Sequence, residues 1–333
     1  MIQQAHDANL KLQRWMLLAA VVLFALKLWA WQITRATSVL SDALESIVNI
    51  VAGAISLYAV YLSSLPADKN HPYGHGKVEF LSSGIEGTLM LFASLLIGYE
   101  AVWNLIYGHK LNDLGQGMGV IFFAAAMNWI LGWMSIRQGR KTHSPAMVAS
   151  GKHLQSDTWT SIGIIAGLLL IRLTGLEWID SLVALLLSIF LAWTAYGIIR
   201  KAITGIMDEA DLQWLEGLVD MLESRRRADW IDLHNLRVIR YGSVYHIDCH
   251  LTVPWYYNVH EAHSAAEVLN DEIRAHFGAQ VEMFIHTDGC LPDSCRVCSQ
   301  AVCPQRQHPM AGRVTWSVPN IVANAKHGQE DLV

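Results

Sequence analysis

His153 and Asp157 stand four residues apart, so on an α-helix an imidazole and a carboxylate share one face, one turn from each other. The residues that follow, Ile162 to Leu173, have the composition of a membrane helix. A carboxylate inside a bilayer costs about 2.5–3.5 kcal/mol on insertion scales, so it must face protein, water or an ion. A second pair with the same spacing, Glu45 and Asn49, lies within the apolar run from Val39 to Leu62. Asp42 sits on the same stripe, one turn before Glu45. Two helices that each offer such an O/N pair can supply four ligands for a divalent metal. The competing reading places His153 and Asp157 at a solvated helix end, because Ser150, Lys152, Gln155, Ser156 and Thr158 crowd the same turns. The depth of Glu45 and Asn49 within their apolar run favours the buried site.

Three further stretches carry ligand chemistry. In the turn-rich segment Leu65 to Lys77, Asp68, His71 and His75 have the spacing D-x-x-H-x-x-x-H, which suits either a small metal site or a solvated turn with incidental histidines. Cys290, Cys295, Cys298 and Cys303 place four of the five cysteines within 14 residues. That pattern points to a tetrahedral thiolate site for zinc or a similar soft ion, with a redox or unoccupied thiol cluster as the alternative. Val244, His246, Asp248 and His250 share one face of a strand by period two, either as metal-capable groups or as ordinary polar alternation.

The elements that must position these groups are legible in the hydropathy. The chain of 333 residues is 53% hydrophobic and 16% charged, with a mean hydropathy of +0.27, too apolar for an ordinary soluble protein. Apolar runs of membrane-spanning length, about 20 residues, fall at 14–34, 39–63, 80–107, 115–136, 147–173 and 178–199. Lys11, Arg14, Lys69, Lys77, Arg137, Arg140, Lys141, Arg200 and Lys201 mark one side of the bilayer; the positive-inside rule then puts both termini in the cytoplasm. The first apolar run is too long for the core of a cleaved signal. Beyond residue 203 the composition becomes that of a soluble domain. A helix at 209–225, strands at 232–240 and 244–253, a helix at 258–276 and a strand at 281–286 give a small α+β unit of metallochaperone-like α-β-β-α-β order. The chain divides into a six-helix transmembrane domain at 1–203, a cytoplasmic α+β metal-binding domain at 204–290, and a Cys-rich segment with a flexible tail at 291–333. A net charge of −5 argues against a nucleic-acid partner. With no H-E-x-x-H and no nucleophile–base arrangement near the His/Asp pair, an enzyme is disfavoured.

Six helices, ligand pairs on the second and fifth, the Asp68-Lys-Asn-His-Pro-Tyr-Gly-His-Gly-Lys77 loop, and the His286-Thr-Asp288 end of the soluble unit together resemble the cation diffusion facilitator family. The resemblance covers residues 10–290 and is nearest to bacterial zinc/iron exporters of the ferrous-iron efflux type. It implies a homodimer in the cell (inner) membrane, a secondary active transporter rather than an enzyme, exchanging a divalent cation for protons. The metal is both substrate and regulator: zinc first, with iron, cobalt, manganese and cadmium open. Glu45, Asn49, His153 and Asp157 match the transport site, Asp68, His71 and His75 the loop site, and His234, His250, His263, His286 and Asp288 the metal positions of the soluble domain. The family commonly has Asp or His and then Asp on helix two, where this chain has Glu45 and Asn49; a neutral amide removes one formal charge. The alternative function is a membrane-anchored metal sensor that binds without transporting.

Overall fold

The computed structural model describes residues 2–34, 37–107, 118–176, 178–278 and 281–332. The chain forms two compact units, Met1–Met207 and Asp208–Val333. The first is all helical: α1 (Ile2–Thr34), α2 (Thr37–Ser63), α3 (Val78–Tyr107), α4 (Met118–Lys141), α5 (Pro145–Thr174) and α6 (Trp178–Ile206). Among the described residues, segments of α1, α3, α5 and α6 are both long and apolar enough to cross a bilayer. Burial in this unit is inverted relative to a soluble protein. Gln13, Ser56, Glu79, Glu86, Ser150 and His153 are buried, whereas Phe92, Leu95, Leu186 and Trp193 are exposed. An apolar outside, with polar groups kept inside beside apolar clusters such as Met90, Leu191 and Ile198, is what a lipid solvent selects.

The helices pack most closely in three pairs, α1 with α2, α3 with α6, and α4 with α5. Small residues allow the approach. A Cβ on Gly132 would lie 2.8 Å from the Gly151 carbonyl oxygen, and one on Gly151 would lie 2.7 Å from that of Gly132. The α3–α6 pair closes in the same way, since a Cβ on Gly205 would meet the Phe80 ring.

Helix α5, which carries the His/Asp pair, has a defined start. Ser144 is its N-cap, accepting from the Met147 N–H, and Pro145 takes the first turn. The Glu79 carboxylate, fully buried on α3, accepts from the Ser144 hydroxyl, from the Ser63 hydroxyl at 2.7 Å and from the Ala146 N–H at 3.4 Å. A negative charge placed there meets the orphan N–H groups and the positive end of the α5 dipole. Glu79→Ala leaves those donors unsatisfied, at about 1–3 kcal/mol for a buried group. The expected result is a lower melting temperature in detergent; an unchanged melting curve would show that Glu79 does not fix α5.

The second unit contains α7 (Leu212–Ser224), β1 (Asp232–Tyr241), β2 (Val244–Val253), α8 (Val259–Phe277) and β3 (Val281–Gly289), followed by a 3-10 turn at Pro292–Arg296 and a short α9 (Val318–Ile321). The sheet order is β1-β2-β3. β1 and β2 form an antiparallel hairpin, and β3 returns parallel to β2 after the α8 crossover. Asn258 caps α8 in a capping box with Glu261. Leu218 and Leu222 of α7, Leu269 and Ile273 of α8, and Leu233, Ile247 and Leu251 of the sheet form one core with Trp230.

The tail differs from expectation. Instead of a flexible segment after Gln305, the chain packs onto the sheet unit, with Trp316 and Ile321 inside its core. The Arg226 guanidinium lies 4.0 Å over the Trp316 ring and donates to the Val314 carbonyl at 2.8 Å. Glu223 accepts from the Trp316 N–H at 3.2 Å and from Arg313 at 2.7 Å. Single anchoring residues, joined by irregular backbone, hold the tail without any periodicity in the sequence.

Candidate metal centre

In the helical unit, three of the four expected ligands converge. His153 Nε2 is 3.7 Å from Asp157 Oδ1, and Asn49 Nδ2 donates to Asp157 Oδ2 at 2.9 Å. The side chains of Glu45 and of Asp42 beside it lie outside the described residues. In this arrangement Asn49 presents its amide N–H₂ to the carboxylate. Ligating a cation requires that amide to turn and offer its carbonyl oxygen, since only that end accepts.

A residue not expected from the sequence completes the group. Glu86 on α3 is buried, and its Oε1 lies 3.2 Å from His153 Nδ1. Its other oxygen lies 3.1 Å from the Ser150 hydroxyl, which is also 2.9 Å from that of Ser56. A carboxylate at this position favours the His153 tautomer that carries its proton on Nδ1, with Nε2 on the side of Asp157. This is the carboxylate–imidazole arrangement that orients metal-binding histidines. Glu86 also brings a second carboxyl group to a site where Asn49 offers only a neutral amide. Its signal was present in the sequence: an isolated acid inside the apolar run of α3, subject to the same cost as Asp157. Asn49, Glu86, Ser150 and His153 line one pocket together with Gln13. Gln13 is buried, and its Oε1 has no hydrogen-bond partner among the described residues.

Two other groups bring three ligand atoms within 4.8 Å of one another among the described residues: Asp68, His71 and His75, and His234, His250 and Asp288. In the first, Asp68 Oδ1 is 3.2 Å from His71 Nδ1, and Asp68 Oδ2 is 3.4 Å from His75 Nε2. The His71 backbone N–H, foremost among several donors, holds the exposed Asp68 carboxyl below its ordinary pKa. The second group is a product of strand register. His234 pairs with His250 across β1–β2, and His250 with His286 across β2–β3, which stacks three imidazoles side by side. Asp288, two residues beyond His286, is 3.3 Å from His250 Nδ1, 3.6 Å from His234 Nε2 and 3.6 Å from His286 Nε2.

Asp232 stands behind His234, 3.1 Å from its Nδ1, and also accepts from His327. Burial alone would raise the Asp232 pKa, but the hydrogen bonds from His234 and His327 outweigh it and hold the carboxyl well below its usual range. A depressed carboxyl stabilises the fold above its unfolded-state pKa, and that contribution is lost as pH falls through the lower folded value.

The remaining expectations are distributed differently. Of the β2 stripe, only His250 enters the cluster: His246 is 3.3 Å from Glu282, and Asp248 is exposed. His263 is exposed on α8, outside the cluster. Cys290, Cys295, Cys298 and Cys303 are free thiols lining one pocket with Trp255 and Tyr256, set more loosely than the two groups above.

The fold and the buried ligand set define a multi-pass membrane protein built to handle a cation. Residues 14–207 match the cation efflux transmembrane domain, and residues 224–290 match the cation efflux protein cytoplasmic domain. Among curated relatives, an uncharacterized transporter of Synechocystis, sll1263, is 35% identical over 259 residues, 77% of this chain and 82% of its own. The cation-efflux pump FieF of Salmonella arizonae is 31% identical over 278 residues, 81% of this chain and 89% of its own. The chain belongs to the cation efflux, or cation diffusion facilitator, family of divalent metal exporters.

Proposed function

We propose that this protein is a proton-coupled antiporter of the inner membrane, with both termini cytoplasmic, that exports a divalent transition metal from the cytoplasm. The observation that carries the reading is the convergence of half-buried Asn49 and Asp157 with buried His153 on α2 and α5, with Glu86 behind His153. Glu45, Asn49, His153 and Asp157 are the proposed ligands. Metal binding needs a neutral imidazole and ionised carboxylates, so protons on the outer side compete for the same atoms and release the ion. His153 suits the exchange because an imidazole titrates near neutral pH. A mixed nitrogen and oxygen ligand set fits zinc first, with iron, cobalt, manganese and cadmium as further candidates.

Two copies of the chain form the proposed functional unit, embedded in membrane lipid. Metal held by His234, His250, His286 and Asp288 regulates it from the cytoplasmic domain. Asp68, His71 and His75 form a proposed loop site that receives cytoplasmic metal. The joint variant His250→Ala/His286→Ala is expected to weaken metal-dependent compaction of the dimer, read by small-angle scattering; undiminished compaction would remove the regulatory role.

The decisive experiment is transport in proteoliposomes under an imposed pH gradient, with a panel of divalent ions, for wild type and Asn49→Asp. One ion is expected to move against counter-flowing protons, and Asn49→Asp is expected to change which ion moves best, because it adds a charge and removes a neutral ligand. Metal binding without flux of any ion would leave a membrane-anchored sensor instead.

A further inference from the structure

We infer that Cys290, Cys295, Cys298 and Cys303 hold one soft divalent ion of the zinc class, and that this centre fastens the C-terminal segment that buttresses the His234–His250–Asp288 cluster. Cys290 is the last residue matched by the cytoplasmic family domain, and the other three cysteines lie beyond the residues matched by either domain.

The thiols are placed by the fold. Cys290 continues the edge of β3, its N–H donating to the Val253 carbonyl at 2.9 Å. Cys295 and Cys298, buried, come from and just after the 3-10 turn, and Cys303 closes the loop at the rim of the same pocket. Arg306 binds the backbone of that loop, donating to the carbonyls of Cys295 at 3.1 Å, Cys298 at 3.3 Å and Gln300 at 2.6 Å. A four-thiolate centre around a divalent ion carries two net negative charges, and the guanidinium stands where that charge would form. Zinc–sulfur bonds of about 2.3 Å would draw the four loosely set sulfurs together into a tetrahedron. A stretch with so little regular structure gains its order from such a staple.

The same segment then reaches the histidine cluster. The N–H groups of Ala311 and Gly312 donate to the Arg296 carbonyl at 2.7 and 3.2 Å, tying the cysteine loop to the tail. Asn235, in the left-handed region at φ 53° beside the β1 irregularity, donates its N–H to the Ala323 carbonyl at 2.8 Å. Lys326 Nζ donates to the Gly289 carbonyl at 3.1 Å and lies 3.8 Å from Asp288 Oδ1. His327 donates its N–H to Asp232, the carboxylate that orients His234. The tail therefore supplies outer groups to the cluster, and the cysteine centre fixes the near end of that tail.

The test uses the full-length protein in detergent under reducing conditions, loaded with cobalt(II), and does not depend on transport. Wild type is expected to show sulfur-to-cobalt charge-transfer absorption and intense visible bands of a tetrahedral thiolate site, saturating at one cobalt per chain and displaced by zinc. Cys295→Ser/Cys298→Ser is expected to lose them, whereas Cys249→Ala, which removes the buried sheet thiol, keeps them. In the double variant, amide hydrogen exchange across 313–327 is expected to rise, and cobalt affinity of the histidine cluster to fall about 10-fold, the usual effect of losing outer-shell support. Absence of thiolate bands in reduced wild type, or two disulfides in protein taken directly from cells, would overturn the metal centre. Loss of the bands with unchanged tail exchange and unchanged cluster affinity would overturn the link between the two sites.

Discussion

Asp157→Asn is expected to reduce metal flux in proteoliposomes by about 100-fold or more. Truncating one partner of a desolvated charge pair at a binding site costs about 2–5 kcal/mol of affinity, and each 1.4 kcal/mol is about tenfold. Asp157 faces both His153 Nε2 and Asn49 Nδ2, so its loss removes the charge on which the ligand set converges. Asparagine has the same shape, and α5 keeps its cap and its seam with α4; size-exclusion profile and melting temperature should match wild type. Full flux in a folded Asp157→Asn protein would exclude this pair from the transport path.

Glu86→Gln is expected to raise the KM for metal about 10–100-fold, the range for removing a carboxylate behind a metal-binding histidine, with a smaller change in kcat. An amide can turn its N–H₂ toward His153 Nδ1, which moves the imidazole proton to Nε2 and blocks the lone pair that would ligate the ion. Glu86 also adds charge to a site that has a neutral Asn49, and a double variant separates the two effects. If Asn49→Asp restores the KM of Glu86→Gln, the charge was limiting; if it does not, the orientation of His153 was. An unchanged KM in Glu86→Gln alone would show that the carboxylate does neither.

The six helices were legible in the sequence because apolar length is a local property, although α1 begins at Ile2 rather than near 14; the order of helices and strands in the second unit followed from periodicity, with β3 running on to Gly289 rather than ending at 286. His153 and Asp157 were legible because helical spacing puts both ligands in one stretch. Glu86 was harder, since it contributes a single acid from α3 and meets His153 only when α3 packs against α5. The cytoplasmic cluster shows the same limit in a sheet. Period two along β2 singled out His246, Asp248 and His250 together, and His234 and Asp288 were named only through the family resemblance; the groups that converge, His234, His250 and Asp288, lie on three strands. Only pairing register decides that. The tail was unreadable because Trp316, Ile321 and His327 each find a partner far away in sequence, with no repeat to announce it.

The three close helix pairs bear on how such a protein changes over generations. Asn49 belongs to the α1–α2 pair, Glu86 to α3–α6, and His153 and Asp157 to α4–α5. The distances among them are therefore set by how each pair is assembled, and in α4–α5 by the backbone approach at Gly132 and Gly151. One methyl group at that seam would have to displace α5, moving His153 and Asp157 together while leaving both side chains intact. Under the proposed function, the spacing offered to the ion would then depend on residues that never meet it. Substitutions confined to the helix seams would alter that spacing, and a comparison of the proposed ligand residues alone would record no change.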